Sequence, residues 1–300
     1  MYYRYLGNSK LNVSAVSLGC MSLPVSDPTL ATSIIHTALD GGINFFDTAD
    51  LYDKGKNEEI LGKSLKHCRK DIIIATKVGN QWKPDGSDWL WNPKKEYILK
   101  AVDQSLKRLQ TDYIDLYQLH GGTIEDPIDE TIEAFELLKE QGKIRYYGIS
   151  SIRPNVIKTF VAKSNIASVM MQYSLLDRRP EEECLQLLLN HNIGVLTRGT
   201  LAKGLLAGKE PSAYLEHTKE EVVKYTDTLR NATVENKPRS HTAIDYVLKH
   251  KAISTAVVGA STGIQVEELA NYGKLEVIDI NQYALLKQHF PQRIYKNFRN

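Results

Sequence analysis

The segment Asn44-Phe45-Phe46-Asp47-Thr48-Ala49-Asp50-Leu51-Tyr52 ends an apolar run in a carboxylate and sets a tyrosine five positions later. Two more runs close on polar groups in the same way, Asp71-Ile72-Ile73-Ile74-Ala75-Thr76-Lys77 and Tyr113-Ile114-Asp115-Leu116-Tyr117-Gln118-Leu119-His120. If each is a buried strand, Asp47, Lys77 and His120 stand at C-terminal tips, with Tyr52 on the loop beyond the first. Such a group can deliver a proton. A free phenol has a pKa of about 10, and an ammonium beside it favours the phenolate. Lys77 would supply that charge, Asp47 would orient the ammonium, and His120 would hydrogen-bond the phenol or the oxygen of a bound carbonyl. A donor aimed at an oxygen that becomes negative suits carbonyl reduction. No side chain donates hydride, so this chemistry calls for a nicotinamide cofactor.

Taken singly, each residue has a plainer use. Asp47 can cap a helix or anchor a loop, Lys77 can serve a structural salt bridge, and His120 can cap a strand. Tyr52 is one of sixteen tyrosines. Their joint placement at three strand ends sets them apart.

Positioning them requires a particular frame. Eight short β-rich runs, at 14–20, 43–47, 72–77, 114–120, 146–151, 169–173, 195–198 and 255–259, alternate with amphipathic stretches of helical length. Ala101, Val102, Ser105, Leu106 and Leu109 recur at helical spacing, as do Ile132, Phe135 and Leu138. Asn57 before Glu58-Glu59, and Asp126 before Pro127, signal helix starts. Eight βα repeats with short connections predict an α/β fold, a closed (β/α)8 TIM barrel rather than an open sheet. Residues 1–300 then form a single barrel domain, with residues 1–13 predicted as an N-terminal β-hairpin across its bottom. Two segments exceed the repeat: 79–93, which holds Trp82, Trp89 and Trp91, and the charged stretch 203–239. Both leave from C-terminal strand ends, where barrels place their active sites.

Composition narrows the alternatives. The chain is 42% hydrophobic and 25% charged with a net charge of +2, an ordinary globular balance that points to neither a nucleic-acid nor a membrane partner. Cys20, Cys68 and Cys184 lie far apart without metal-ligand spacing, so no metal site is expected and the thiols read as packed and reduced. The N-terminus lacks a secretory apolar core, and no run approaches the roughly 20 residues of a membrane span. A cytoplasmic protein acting on a small molecule is expected, with a monomer the simplest state. Leu61-Gly62-Lys63-Ser64 ends like a phosphate-binding loop, but Asn57 stands where the first glycine belongs. No G-x-G-x-x-G follows a predicted strand. His36, His67, His191 and His241 lack paired metal spacing, and Lys219-Glu220-Glu221 reads as a solvated helical face.

On these words the chain resembles the aldo-keto reductases along nearly its whole length. The matching segments are Gly42-Ile43-Asn44-Phe45-Phe46-Asp47-Thr48-Ala49 with Tyr52, Ala75-Thr76-Lys77, Asp115-Leu116-Tyr117-Gln118-Leu119-His120, Gly148-Ile149-Ser150-Ser151, Gln172-Tyr173-Ser174-Leu175-Leu176 and Val258-Gly259-Ala260-Ser261. The resemblance implies a (β/α)8 barrel, NADP as cofactor (NADPH ahead of NADH), and reduction of aldehydes or ketones to alcohols. It implies that Tyr52 is the general acid, supported by Asp47, Lys77 and His120. It assigns Ser150, Ser151 and Gln172 to the carboxamide of the nicotinamide. Arg198, Gly199, Thr200 and Lys203 fall in the segment beside the nicotinamide and pyrophosphate, and Ser261, Thr262, Gln265 and Glu268 at the adenosine end. A helix starting near Gly263 would add N–H groups for a phosphate. Trp82, Trp89 and Trp91 become candidates for apolar walls of the substrate site, although one or two can equally pin their loop to the barrel.

Three departures mark this sequence. Arg198 stands where many members stack an aromatic ring on the nicotinamide, and its charge would disfavour the cationic oxidised ring. Ala260-Ser261-Thr262-Gly263 carries no Lys or Arg for a 2′-phosphate, which leaves NADPH against NADH open. Leu269 replaces a frequent Asn near the adenine. Two other functions stay open at this stage: a Schiff-base aldolase or isomerase using Lys77, and a non-enzymatic, cofactor-sensing regulatory subunit.

Overall fold

The computed structural model describes residues 1–299. An antiparallel hairpin, β1 (Tyr3–Tyr5) and β2 (Asn12–Ser14), opens the chain. Then β3 (Val16–Gly19) leads to α1 (Pro28–Asp40), and β4 (Phe45–Asp47) to α2 (Lys56–Leu65). After β5 (Ile73–Val78) comes a second hairpin, β6 (Asn80–Trp82) with β7 (Trp89–Trp91), before α3 (Lys95–Leu109). The repeat continues with β8 (Ile114–Leu119), α4 (Ile128–Glu140), β9 (Ile144–Ser150), α5 (Pro154–Lys163), β10 (Ser168–Gln172), α6 (Cys184–Asn190) and β11 (Gly194–Arg198). Helices α7 (Lys219–Ala232) and α8 (Arg239–Leu248) precede β12 (Ile253–Gly259), and α9 (Gly263–Ala270) and α10 (Ile280–His289) follow it.

Strands β3, β4, β5, β8, β9, β10, β11 and β12 pair in parallel in that order, and β12 closes on β3. This is the expected (β/α)8 TIM barrel, and each of its eight strands overlaps a β-rich run of the sequence. The β1–β2 hairpin seals its bottom as predicted. Leu6, Leu11 and Val13 from the hairpin join Phe45, Ile73, Ala75, Leu116, Met170, Leu196 and Val257 in one apolar cluster. Gly7 makes the turn possible. Its φ is +53°, and a Cβ there would stand 2.4 Å from the Gly194 backbone nitrogen. Asn44 ties the hairpin down by accepting from the Ser14 N–H at 2.7 Å and donating to the Asn12 carbonyl at 2.8 Å.

Strand alternation builds the site on that plug. Side chains two apart along a strand share a face. Phe45, Ala75, Leu116, Met170 and Leu196 belong to the interior cluster. Asp47, Lys77, Gln118, Gln172 and Arg198, each two residues further on, therefore form the next layer toward the C-terminal mouth.

Two expected caps are overturned. Asn57 does not cap α2: the helix begins at Lys56 after Gly55, which sits at φ +87°. Asn57 is instead a buried strut that accepts from the Thr48 hydroxyl and donates to the Cys20 carbonyl, both at 2.7 Å. Asp126 does not cap α4 either. Pro127 holds that position, and the Asp126 carboxylate accepts from the Trp91 indole at 3.0 Å and from the Thr123 N–H at 2.7 Å. In each case a tertiary partner won over the local cap. Lys219-Glu220-Glu221 is indeed the first turn of a helix, closed by a Thr218–Glu221 capping box. Among the described residues no helix is long and apolar enough to cross a membrane, and no His/Cys/Asp/Glu group could hold a metal ion.

Candidate active site

Lys77 is the centre of the mouth layer and is 1% exposed. Its ammonium donates to Asp47 Oδ2 at 2.7 Å, to the Thr48 carbonyl at 2.8 Å and to the Tyr52 hydroxyl at 3.4 Å. All three N–H donors are thus engaged. The His120 ring meets the Tyr52 ring edge-on, with centroids 5.7 Å apart. The four groups named from the sequence stand together.

Burial decides their titration. It would push the Lys77 ammonium down, but the Asp47 carboxylate and the Tyr52 phenol hold it above the ordinary lysine range. Asp47 is pushed up by burial, with Lys77 and Gln118 opposing. Tyr52 departs from expectation. Its pKa is raised, because burial outweighs the downward pull of Lys77, and Asp47 adds to the rise. The cation therefore limits the cost of forming phenolate without making the resting phenol acidic. His120 is lowered to about 3 by burial, then by Lys77 and Arg198, so it is a neutral imidazole. Its Nδ1 is buried without a partner among the described residues.

Gln118 escaped the sequence reading. Its Nε2 donates to Asp47 Oδ1 at 3.4 Å, on the oxygen that Lys77 leaves open. The signal was its parity with Leu116 on β8 and with His120 just past the strand's end, but a lone glutamine in a strand suggests no chemistry.

Around this centre lie the residues assigned to the cofactor. At the mouth, the Ser151 hydroxyl accepts from the Arg153 N–H at 3.1 Å and keeps its own O–H. Ser150 is buried beside it. Gln172 is held at both ends: Arg198 donates to its Oε1 at 3.0 Å, and its Nε2 donates to Asp177 at 2.9 Å. From here a groove of about 750 Å³ runs between the loop after β11 and α9. Gly199, Thr200, Lys203, Ser261, Gln265 and Glu268 line it, six of the residues assigned from the sequence. Thr262 is engaged differently, since its hydroxyl caps α9 by accepting from the Gln265 N–H. Glu268 is held by the Ser240 hydroxyl. The volume falls in the range of small-molecule sites, about 300–1,000 Å³.

The tryptophans divide. Trp91 is a pin. Besides its bond to Asp126, its ring lies against Gly79, where a Cβ would come within 2.6 Å, and near Gly121 and Gly122 next to His120. Trp82 faces the outer flank, with the Lys54 ammonium 5.2 Å from its ring centre. Trp89 is 43% exposed on the hairpin.

A parallel barrel with these four groups at its mouth and a groove of about 750 Å³ between the β11 loop and α9 has known counterparts. The chain matches the Aldo/keto reductase family over residues 15–290, and it belongs to that family of carbonyl-reducing oxidoreductases. It is 49% identical to the "Uncharacterized oxidoreductase YqkF" of Bacillus subtilis (strain 168), with 100% of both chains covered. Its backbone is similar to the holo form of aldo-keto reductase AKR11C1 from Bacillus halodurans, at a TM-score of 0.94, 48% identity and full coverage of both chains. It is also 34% identical to "Aldo-keto reductase yakc [NADP(+)]" of Schizosaccharomyces pombe, over 84% of this chain and 74% of that protein.

Proposed function

We propose that this protein reduces small aldehydes or ketones with NADPH and that Tyr52 donates the proton. The observation that carries the proposal is the single cluster of Asp47, Tyr52, Lys77 and His120 at the C-terminal mouth of the barrel. Ser150, Ser151, Gln172 and Arg198 would hold the nicotinamide end, and the Gly199–Lys203 loop with Ser261, Gln265 and Glu268 the rest. Thr262 would act through α9. When bound there, the nicotinamide supplies the two electrons as hydride.

The protein's own part is positioning and proton transfer. Asp47 and the Thr48 carbonyl fix the Lys77 ammonium, which leaves its remaining N–H for Tyr52. As the carbonyl oxygen gains charge, the phenol gives up its proton and the ammonium stabilises the phenolate left behind. Neutral His120 offers a hydrogen bond without competing as an acid. Gln172 must exchange partners to serve a carboxamide, because Arg198 and Asp177 occupy it. An aldolase role for Lys77 fits poorly, since Schiff-base chemistry needs a neutral amine and this one is held charged. A purely regulatory role leaves the complete proton-donating cluster unused.

Fluorescence titration with NADPH and NADH, followed by a screen of small aldehydes, tests the proposal. Quenching by NADPH at lower concentration than NADH, together with turnover, supports it. Failure of both cofactors to bind overturns it. The NADP(+) in the name of the Schizosaccharomyces pombe relative supports that preference, while Ser261 and Thr262 offer only hydroxyls to a 2′-phosphate.

The pH dependence follows from the two shifts. Tyr52 stays protonated past the ordinary phenol range, and His120, lowered to about 3, stays neutral above that value. The kcat for reduction is therefore expected to stay level from about pH 5 to 9 and to fall only beyond roughly pH 10. A limb near the ordinary histidine value that vanishes in His120→Gln would contradict this. Gln118→Leu is expected to cost about 1 kcal/mol in kcat, roughly fivefold, through a less well-held Asp47. Unchanged turnover in a well-folded variant would remove Gln118 from the mechanism.

A further inference from the structure

A second groove lies on the outer flank of the barrel, between α2, α3 and the β6–β7 hairpin. It has two compartments that share Lys54, Gln104 and Arg108. The inner one, about 360 Å³, has Trp82, Tyr97 and Ala101 on its walls, and Lys100 and the buried Asp50 line it as well. The outer one, about 530 Å³, is lined by Lys54, Lys63, Lys107 and Arg108 and by a single acid, Glu59. None of Asp47, Tyr52, Lys77 or His120 lines either compartment.

The charge is built in rather than balanced. Arg108 is anchored by Glu58 at 2.7 Å, but Lys54, Lys63 and Lys107 form no ion pair among the described residues. Gly55 lets Arg108 approach: at φ +87°, a Cβ there would stand 2.6 Å from Arg108 Cδ. Lys54 is set by its own backbone at φ +56° and by the Trp82 ring, so it stands at the junction of the two compartments. Across both compartments five cations, Lys54, Lys63, Lys100, Lys107 and Arg108, face two acids, Asp50 and Glu59. An aromatic-walled cavity that opens onto such an excess is complementary to a flat apolar body ending in a multivalent anion.

We propose that this groove binds a small amphiphilic anion of the aryl phosphate class, its ring against Trp82 and Tyr97 and its phosphate among Lys63, Lys107, Arg108 and Lys54. The site is separate from the reductase site and does not depend on that assignment. Isothermal titration calorimetry of the full chain with phenyl phosphate, inorganic phosphate and phenol tests it. Phenyl phosphate is expected to bind more tightly than either fragment. The double variant Lys63→Ala/Lys107→Ala, at two exposed helix positions, is expected to weaken that binding by about fivefold. Melting temperature and carbonyl reduction should be unchanged in the same variant. Equal binding of inorganic phosphate, undiminished binding by the double variant, or no binding of phenyl phosphate would each overturn the proposal.

Discussion

Tyr52→Phe is expected to lower carbonyl reduction by about 10²- to 10⁴-fold, the usual span for a lost general acid, while leaving cofactor affinity almost unchanged. The substitution deletes one oxygen. That oxygen's hydrogen-bond partner is the Lys77 ammonium at 3.4 Å, and the ring's packing on His120 is retained. The Lys77 ammonium keeps its two shorter bonds to Asp47 and Thr48. Folding should therefore survive, and the groove along β11 and α9 is untouched. Steady-state kinetics and fluorescence titration on one preparation separate the effects. Parallel loss of binding and turnover would show that Tyr52 shapes the pocket instead of donating a proton.

Lys77→Met should act on chemistry and stability together. Removing the cation leaves the Asp47 carboxylate buried without its strongest partner. Breaking a buried pair in this way costs about 3–5 kcal/mol. Reduction should fall at least as far as in Tyr52→Phe, because the phenolate would form with no charge beside it. Urea denaturation as a function of pH checks the electrostatic origin. The folded-state pKa of Lys77 is raised, so its contribution is complete below the unfolded lysine value of about 10.4 and is lost as pH rises through the folded value. The stability gap between wild type and Lys77→Met should therefore be full at neutral pH and close only in strong alkali. A gap that does not depend on pH would assign the loss to packing alone.

How far the sequence reveals this arrangement depends on what kind of information each feature needs. Period-two alternation and strand ends are local, so Asp47, Lys77 and His120 were legible from runs such as Ile72-Ile73-Ile74-Ala75-Thr76-Lys77. Eight such runs also disclosed the barrel. Asn57 shows the limit. Its position before two glutamates obeys cap grammar, but Gly55 starts the helix earlier and frees Asn57 to bridge Thr48 and Cys20. The direction of the Tyr52 shift was hidden for a related reason. Adjacency to a cation can be guessed from a motif, whereas the depth of burial that outweighs it exists only after the barrel closes. Trp91 read equally as a substrate wall or as a pin for its loop, because a tryptophan on a mouth loop serves either use. The three glycines it packs on lie in two different connections, and nothing local links them. Gln118 was silent because its meaning is borrowed from Asp47 on another strand.

A crystal structure of the protein with NADPH and a slowly reacting ketone bears on the proton-transfer proposal itself. The expected result places the carbonyl oxygen within hydrogen-bond reach of the Tyr52 hydroxyl, about 2.6–3.2 Å, with His120 on the same oxygen and the dinucleotide in the groove beside β11 and α9. A ketone oxygen held by other groups, with Tyr52 and Lys77 out of its reach, would contradict it.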